Sequence, residues 1–164
     1  MPTINGRVNK QTFQGVSDRF DKRLAGWRGK ILSLARRATL VSSTMATIPF
    51  YAMQTAKLPR SLCDDCDKKA RLFLWGGDAN IRKIHNVSWE KLLQKKEEGG
   101  LGFKSMRHAN IAFMTKLGWR LMSEKDSLWS KVIRAKYCQD RCDIDMFTHK
   151  QDASNVWHGI TKSA

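Results

Sequence analysis

Phe13-Gln14-Gly15-Val16-Ser17-Asp18-Arg19-Phe20-Asp21-Lys22-Arg23-Leu24-Ala25-Gly26-Trp27 decides the fold class. Its apolar residues Phe13, Val16, Phe20, Leu24 and Trp27 recur at steps of three and four, which draws one stripe along a helix. Polar Asp18, Arg19, Asp21, Lys22 and Arg23 fill the other faces. Past Gly26 and Gly29 a second stripe runs through Ile31, Leu34, Ala38, Val41, Met45 and Ile48 with the same alternation. Two amphipathic helices at the start make the fold mainly α.

Working outward, Pro49 lacks the N–H a helix interior needs and clashes with the preceding turn, so the second helix is expected to end or kink there. Residues 50–56 can resume it. Pro59 suits the first turn of a third helix. In that helix Asp64, Asp65 and Asp67 come early and Lys68, Lys69 and Arg71 late, the order that complements the helix dipole. Gly76 and Gly77 stop it. Between Arg82 and Trp89 the alternation of His85, Val87 and Trp89 with Asn86 and Ser88 predicts one short strand or hairpin near residues 82–89. Ser105 can cap a helix whose apolar face includes Met106, Ala109, Phe113, Leu117 and Leu121. A further helix carries Leu128, Trp129, Val132, Ile133 and Tyr137. Beyond Cys138 the chain turns polar and irregular, with Asn155, Val156, Trp157 and Ile160 as its anchor. The organisation expected is a helical region over 1–78, a short hairpin and loop over 79–104, a helical pair over 105–140 and an irregular tail over 141–164.

The chain has 164 residues, the size of one domain, with 30 Lys and Arg against 15 Asp and Glu and a formal charge of +15. That imbalance favours a polyanionic partner, with nucleic acid first. A membrane is not expected, since no uninterrupted apolar run approaches the roughly 20 residues of a spanning helix. The N-terminal residues Met1 to Arg7 hold no apolar core of the kind a secretory signal carries, so a nuclear or cytosolic protein is expected rather than a secreted one. Cys63, Cys66, Cys138 and Cys142 fit reduced thiols in such a compartment.

Basic residues occupy the faces the apolar stripes leave open: Arg28, Lys30, Arg36 and Arg37, then Lys116 and Arg120, then Lys131, Arg134 and Lys136. Of these, Arg28, Lys30, Arg36, Arg37, Lys116, Arg120, Lys131 and Arg134 are the candidate phosphate contacts, since Lys and Arg that neutralise phosphates release counterions without reading sequence. A plain solvated surface would account for scattered lysines, but not for a twofold excess of one sign. Six tryptophans could stack on unpaired bases, although Trp27 and Trp129 fall on apolar stripes and read as core. The C-x2-C of Cys63 and Cys66 and the C-x3-C of Cys138 and Cys142, with four histidines, could in principle hold zinc. The place of Cys63 and Cys66 on a predicted helix beside Leu62 and Phe73 favours buried thiols. Gly99-Gly100-Leu101-Gly102 is a turn that uses positive φ rather than a phosphate-cradling loop. No P-loop, H-E-x-x-H or G-x-S-x-G signature occurs.

Four stretches together resemble the region after the polymerase palm in plant LINE-type, non-LTR retrotransposon reverse transcriptases. The first is Trp27-Arg28-Gly29-Lys30-Ile31-Leu32-Ser33-Leu34-Ala35-Arg36-Arg37-Ala38-Thr39-Leu40-Val41, similar to a W-K-G-K-x-L-S-L-A-G-R-x-T-L segment of that family. The second is Ile48-Pro49 with Tyr51-Ala52-Met53 and Leu58-Pro59. The third runs from Phe73-Leu74-Trp75-Gly76 through Lys83, His85 and Trp89 to Gly99-Gly100-Leu101-Gly102. The fourth is Leu117-Gly118-Trp119-Arg120 with Leu128-Trp129 and Lys136-Tyr137. Their order and spacing match over nearly the whole chain. Arg36 departs from the pattern where the family usually has glycine, and Cys66 where it usually has an apolar residue.

The resemblance implies a helical, thumb-like segment that grips an RNA/DNA hybrid or RNA, positioned between the palm and the zinc-binding and nuclease-like regions that some relatives carry downstream. The palm's paired aspartates, which bind magnesium, have no counterpart here, because Asp64-Asp65 follows Leu62-Cys63 on a predicted helix. The expectation is therefore no catalysis by this chain, no cofactor of its own, and the parent polymerase's palm as a partner beside nucleic acid. A helix face built for that palm would leave an exposed apolar patch prone to aggregate. The competing reading is a small, non-enzymatic RNA-binding protein that uses exposed aromatics on single strands, and a third is a relic without function. An exposed Trp119 favours single strands. Wholly buried tryptophans beside one basic groove favour a duplex.

Overall fold

A single turn of 3-10 helix at Gln11–Phe13 runs into α1 (Gln14–Arg28), and the spacing of its stripe is realised in burial. Phe13, Phe20 and Leu24 are almost fully enclosed, with Val16 and Trp27 half-buried at the edges. The computed structural model describes residues 11–28, 31–77, 84–138 and 153–163, the side chain of Arg28 excepted.

The second stripe is realised only in part. Ser33 accepts the Arg36 N–H and caps α2 (Leu34–Leu40), a helix with no buried residue, and Ile31 and Leu34 stand exposed. Full burial begins at Val41 and Met45; α2 meets the core only through half-buried Ala38, on the stripe, and Leu40, off it, with Leu32 before its cap. Nor does the helical run end at Pro49. It loosens earlier, in a π-helical turn at Val41–Met45 closed by the Ala46 N–H on the Val41 carbonyl at 3.2 Å. The hydroxyls of Ser42 and Ser43 both bond to the Thr39 carbonyl, at 3.0 and 2.7 Å, and that of Thr47 bonds to Thr44 at 2.8 Å. Such back-bonding draws carbonyls out of the helical ladder. α3 (Thr47–Met53) then restarts, which places Pro49 in a first turn, where its missing N–H has no intrahelical bond to make.

Pro59 is the N-cap of α4 (Arg60–Leu74), which buries Leu62, Cys63, Cys66, Ala70, Phe73 and Leu74. The helix ends as Gly76 and Gly77 predict: Gly77 N–H reaches the Leu72 carbonyl at 2.8 Å and Gly76 N–H the Phe73 carbonyl at 3.1 Å, with Gly76 at φ +66°. That is the Schellman arrangement.

The expected strand is not found among the described residues. Residues 84–88 are irregular, and Trp89 opens a short helix, α5 (Trp89–Leu93), because Ser88 accepts the Lys91 N–H at 3.3 Å. Apolar side chains two apart in an irregular lead-in imitate the alternation of a strand. Residues 82 and 83 lie outside the described residues. The Gly-Gly-Leu-Gly turn has positive φ at Gly99 and Gly102, and folds Leu101 and Phe103 back onto the Leu92 carbonyl.

α6 (Met106–Ser123) is the axis of the molecule, touching α3, α4, α7 and α8. Its buried line is Met106, Asn110, Met114, Gly118 and Leu121, with predicted Ala109, Phe113 and Leu117 half-buried beside it. α7 (Leu128–Tyr137) follows, capped by Ser127. Within the stretch read as an irregular tail, Ser154 caps a helix, α8 (Asn155–Thr161), that buries Trp157 and Ile160. Two apolar clusters result: a large one from Phe13 to Met106, and a small one of Leu121, Tyr137, Cys138 and Trp157. In the second, Trp157 stacks on Tyr137 at 4.6 Å between ring centres.

Candidate nucleic-acid interface

Two asparagines fix the frame on which the basic faces are presented. Asn110 of α6 accepts the Leu58 N–H at 3.1 Å and donates to the Leu58 carbonyl at 2.9 Å. Asn155 of α8 does the same for Lys57, at 2.7 and 3.2 Å. The loop between α3 and α4 thus has the backbone of Lys57 and Leu58 paired with side chains from two later helices, and neither buried peptide is left unsatisfied. Lys57 and Met114 crowd Gly159, where a Cβ would lie 2.5 Å from the Met114 sulfur and 3.1 Å from the Lys57 Cβ. Only glycine lets α8 approach α6 that closely.

The acidic cluster is occupied with structure. Asp64 receives a two-pronged ion pair from Arg107, which holds its carboxyl below the usual range. Asp67 accepts the Met106 N–H at 3.3 Å and so caps α6, the role expected of the Ser105 side chain. Burial pushes its pKa up to about 6. Burial likewise pushes the thiols of Cys63 and Cys66 up to about 12, so both are protonated at neutral pH. Among the described residues no group of three His, Cys, Asp or Glu could hold a metal ion. Cys142 and His149, which the zinc reading also used, lie outside them.

Of the eight candidate phosphate contacts, Lys30 and the side chain of Arg28 lie outside the described residues. Arg36 is exposed on α2, so the side chain that departs from the glycine of the resembled pattern sits in no tight spot. Arg37 turns inward: its guanidinium lies over Gly76, 2.1 Å from where a Cβ would stand, against the C-terminal end of α4. Arg134 donates from Nη2 and Nε to the Leu121 carbonyl at 2.7 and 3.2 Å, near the end of α6. Arg120 pairs with Glu124 at 2.6 Å and lies over the Trp129 ring at 6.0 Å. Lys131 is exposed, 3.7 Å from Asp126. Lys116 is exposed on α6, with no ion pair among the described residues.

Beside Lys116, one line of α6 faces solvent through His108, Ala112, Thr115 and Trp119, at steps of four, three and four. Trp119 is 68% exposed. The other described tryptophans are engaged: Trp89 and Trp157 are buried, Trp27 packs on Phe73, Trp75 stacks on His85, and Trp129 lies under Arg120. α6 holds no Asp or Glu along its length. An exposed indole beside an unpaired ammonium on an acid-free helix face can stack on a base and neutralise its phosphate. Across the loop, Leu128 and Val132 of α7 are also exposed, at 80% and 56%, although their spacing predicted burial. No described helix is long and apolar enough to cross a membrane.

Two plant proteins are similar to the chain. It is 42% identical over 161 residues to the "Putative ribonuclease H protein" of Arabidopsis thaliana, a match covering 98% of this chain and 26% of that protein. It is 35% identical over 91 residues to the "Uncharacterized mitochondrial protein" of the same plant, covering 55% of this chain and 59% of the other. The chain shares ancestry with both. It spans about a quarter of the length of the first and about three-fifths of the second. No protein-family model matches the chain, and no solved structure matches it.

Proposed function

We propose that the chain is a segment of a non-LTR retrotransposon reverse transcriptase, from the thumb-like region that follows the palm, and that it holds nucleic acid without catalysing synthesis. The four stretches in register support this origin. So does a relative about four times as long whose name points to ribonuclease H, in keeping with the nuclease-like region the resemblance places downstream. In this reading the magnesium-binding aspartates belong to the palm. Asp64 and Asp67 are tied to Arg107 and to the start of α6.

The observation that carries the binding reading is Trp119, exposed beside Lys116 on the acid-free face of α6. It favours single-stranded RNA or DNA, whose unpaired bases offer faces to an aromatic ring. The reading with a gripped RNA/DNA hybrid keeps one supporting observation, the exposed Arg36 on the outward α2. The two part in fluorescence anisotropy titrations of the purified chain against single-stranded RNA, an RNA–DNA hybrid and duplex DNA over a range of salt. Preference for the single strand is the expected result. Preference for the hybrid, with a salt slope that flattens in Arg36→Ala, transfers the assignment to α2.

A further inference from the structure

Three segments distant in sequence meet at one edge of α6, and none of them holds an acidic residue: 54–60, 106–123 and 154–163. Asn155 binds the Lys57 backbone on both sides, and the Lys57 Cβ packs where Gly159 lacks a side chain. Lys162 lies one turn beyond Gly159, and Arg60 opens α4 three residues after Lys57. Burial first, then the nearby charges of Lys162 and Arg60, lower the pKa of the half-buried Lys57. Asn155 and Gly159 thus fix Lys57 against α8, within reach of the charges of Lys162 and Arg60, and no carboxylate is among the groups that shift it.

The cluster is joined to the α6 face. Thr115, on the exposed line that ends at Trp119, donates its hydroxyl to the Ser163 carbonyl at 3.2 Å. The chain just after Lys162 is therefore tied to Thr115, the residue before Lys116. We propose that Lys57, Arg60 and Lys162 form a second phosphate-binding site, and that one nucleic-acid strand runs from a base stacked on Trp119, past Lys116, across the end of α8 to this cluster. The proposal rests on the single-strand reading above and adds to it a path and a polyanion contact outside the α6 and α7 cations. Asp64 is the carboxylate near Arg60, and it is already held by Arg107; the repulsion that Lys162 and Arg60 exert on Lys57 is relieved when an anion binds between them. Phosphates spaced along one strand supply it at both ends of the path.

The test uses the full chain and fluorescein-labelled oligouridylates of increasing length, titrated at several salt concentrations. Each phosphate contact on a single strand contributes about 0.7 to the slope of log affinity against log salt. For an oligomer long enough to span the path, Lys57→Gln/Arg60→Gln/Lys162→Gln lowers that slope by about 2, whereas for the shortest oligomer that binds the slope does not change. Arg60→Gln/Lys162→Gln alters only two exposed side chains and guards against misfolding; it lowers the slope by about 1.4. Binding that Trp119→Ala weakens while both charge variants keep the parental slope overturns the second site and leaves the single-strand reading intact. Absence of binding to every oligomer at low salt overturns both.

Discussion

The large cluster and the small one are built on different terms. From Phe13 to Met106 the interior is apolar side chains at helical spacing, closed by Phe20, Leu24, Met45, Leu62 and Leu74. Around Trp157 there are few such residues, and polar devices complete the packing: the Tyr137 hydroxyl accepts the Ser154 N–H at 3.0 Å, Arg134 holds the Leu121 carbonyl, and Asn155 brackets Lys57. A large apolar interior resists opening as a unit, while a small one leaning on hydrogen bonds opens locally. The proposed strand path lies at the boundary, along the α6 face whose far side joins both clusters. The lesson is that the proposed binding face depends on the weaker cluster for its shape and on the stronger one for its anchorage.

The largest effects separate the clusters directly. Phe20→Ala and Trp157→Ala each remove a fully buried aromatic, at a cost of about 3–5 kcal/mol. Native-state hydrogen exchange is expected to show that Phe20→Ala speeds exchange throughout, and that Trp157→Ala speeds it in α7 and α8 while α1 and α4 stay protected. Uniform loss of protection in Trp157→Ala would merge the clusters into one cooperative unit. Next is Asn110→Ala, which strips the Leu58 N–H and carbonyl of their partners and costs about 1–3 kcal/mol per buried group in urea titration. An unchanged midpoint would mean that the loop bonds elsewhere.

A smaller effect follows from Asp67. Its pKa is raised from 3.8 to about 6 by burial, so the native state binds the proton more tightly than the unfolded chain does. Its contribution to stability is therefore greatest below 3.8 and is lost as pH rises towards 6. Asp67→Asn keeps an acceptor for the Met106 N–H and removes the titration, so its stability relative to the parent chain should rise between pH 4 and pH 7, by thermal melts at matched ionic strength. A constant difference across that window would contradict burial as the controlling cause.

How much of this could be read in advance depends on what each residue does. The stripe of α1 announced Phe13, Phe20 and Leu24 because burial there is a matter of spacing alone, and Gly76-Gly77 announced a helix end because positive φ selects glycine. Pro49 misled: the break lies at Val41–Met45, and its cause is a run of hydroxyls whose competition for carbonyls periodicity does not register. Trp89 misled as well, since a serine cap two residues after Asn86 turns an apparent strand into the approach to a helix. In α6 the centre of the buried line is Asn110, Met114 and Gly118, and two of these are not apolar side chains. A lone asparagine in an otherwise apolar face was the available signal. For the candidate site, charge identified Lys116 and Lys131 on exposed faces, but it could not tell them from Arg37 and Arg134, whose guanidinium groups turn onto Gly76 and the Leu121 carbonyl. Lys57, Arg60 and Lys162 escaped notice because only tertiary packing brings Lys162 to the other two.

Trp119→Ala tests the central claim most directly, and its effect on stability is the smallest of the set. An exposed side chain away from both clusters should change unfolding free energy by no more than about 0.5 kcal/mol. Affinity for single-stranded RNA, followed by anisotropy beside the parent chain, should fall by the about 1–3 kcal/mol that a stacked base contributes, while binding to duplex DNA is unchanged. Equal affinity of the two chains for single-stranded RNA would contradict the account, and would leave the basic faces to act through charge alone.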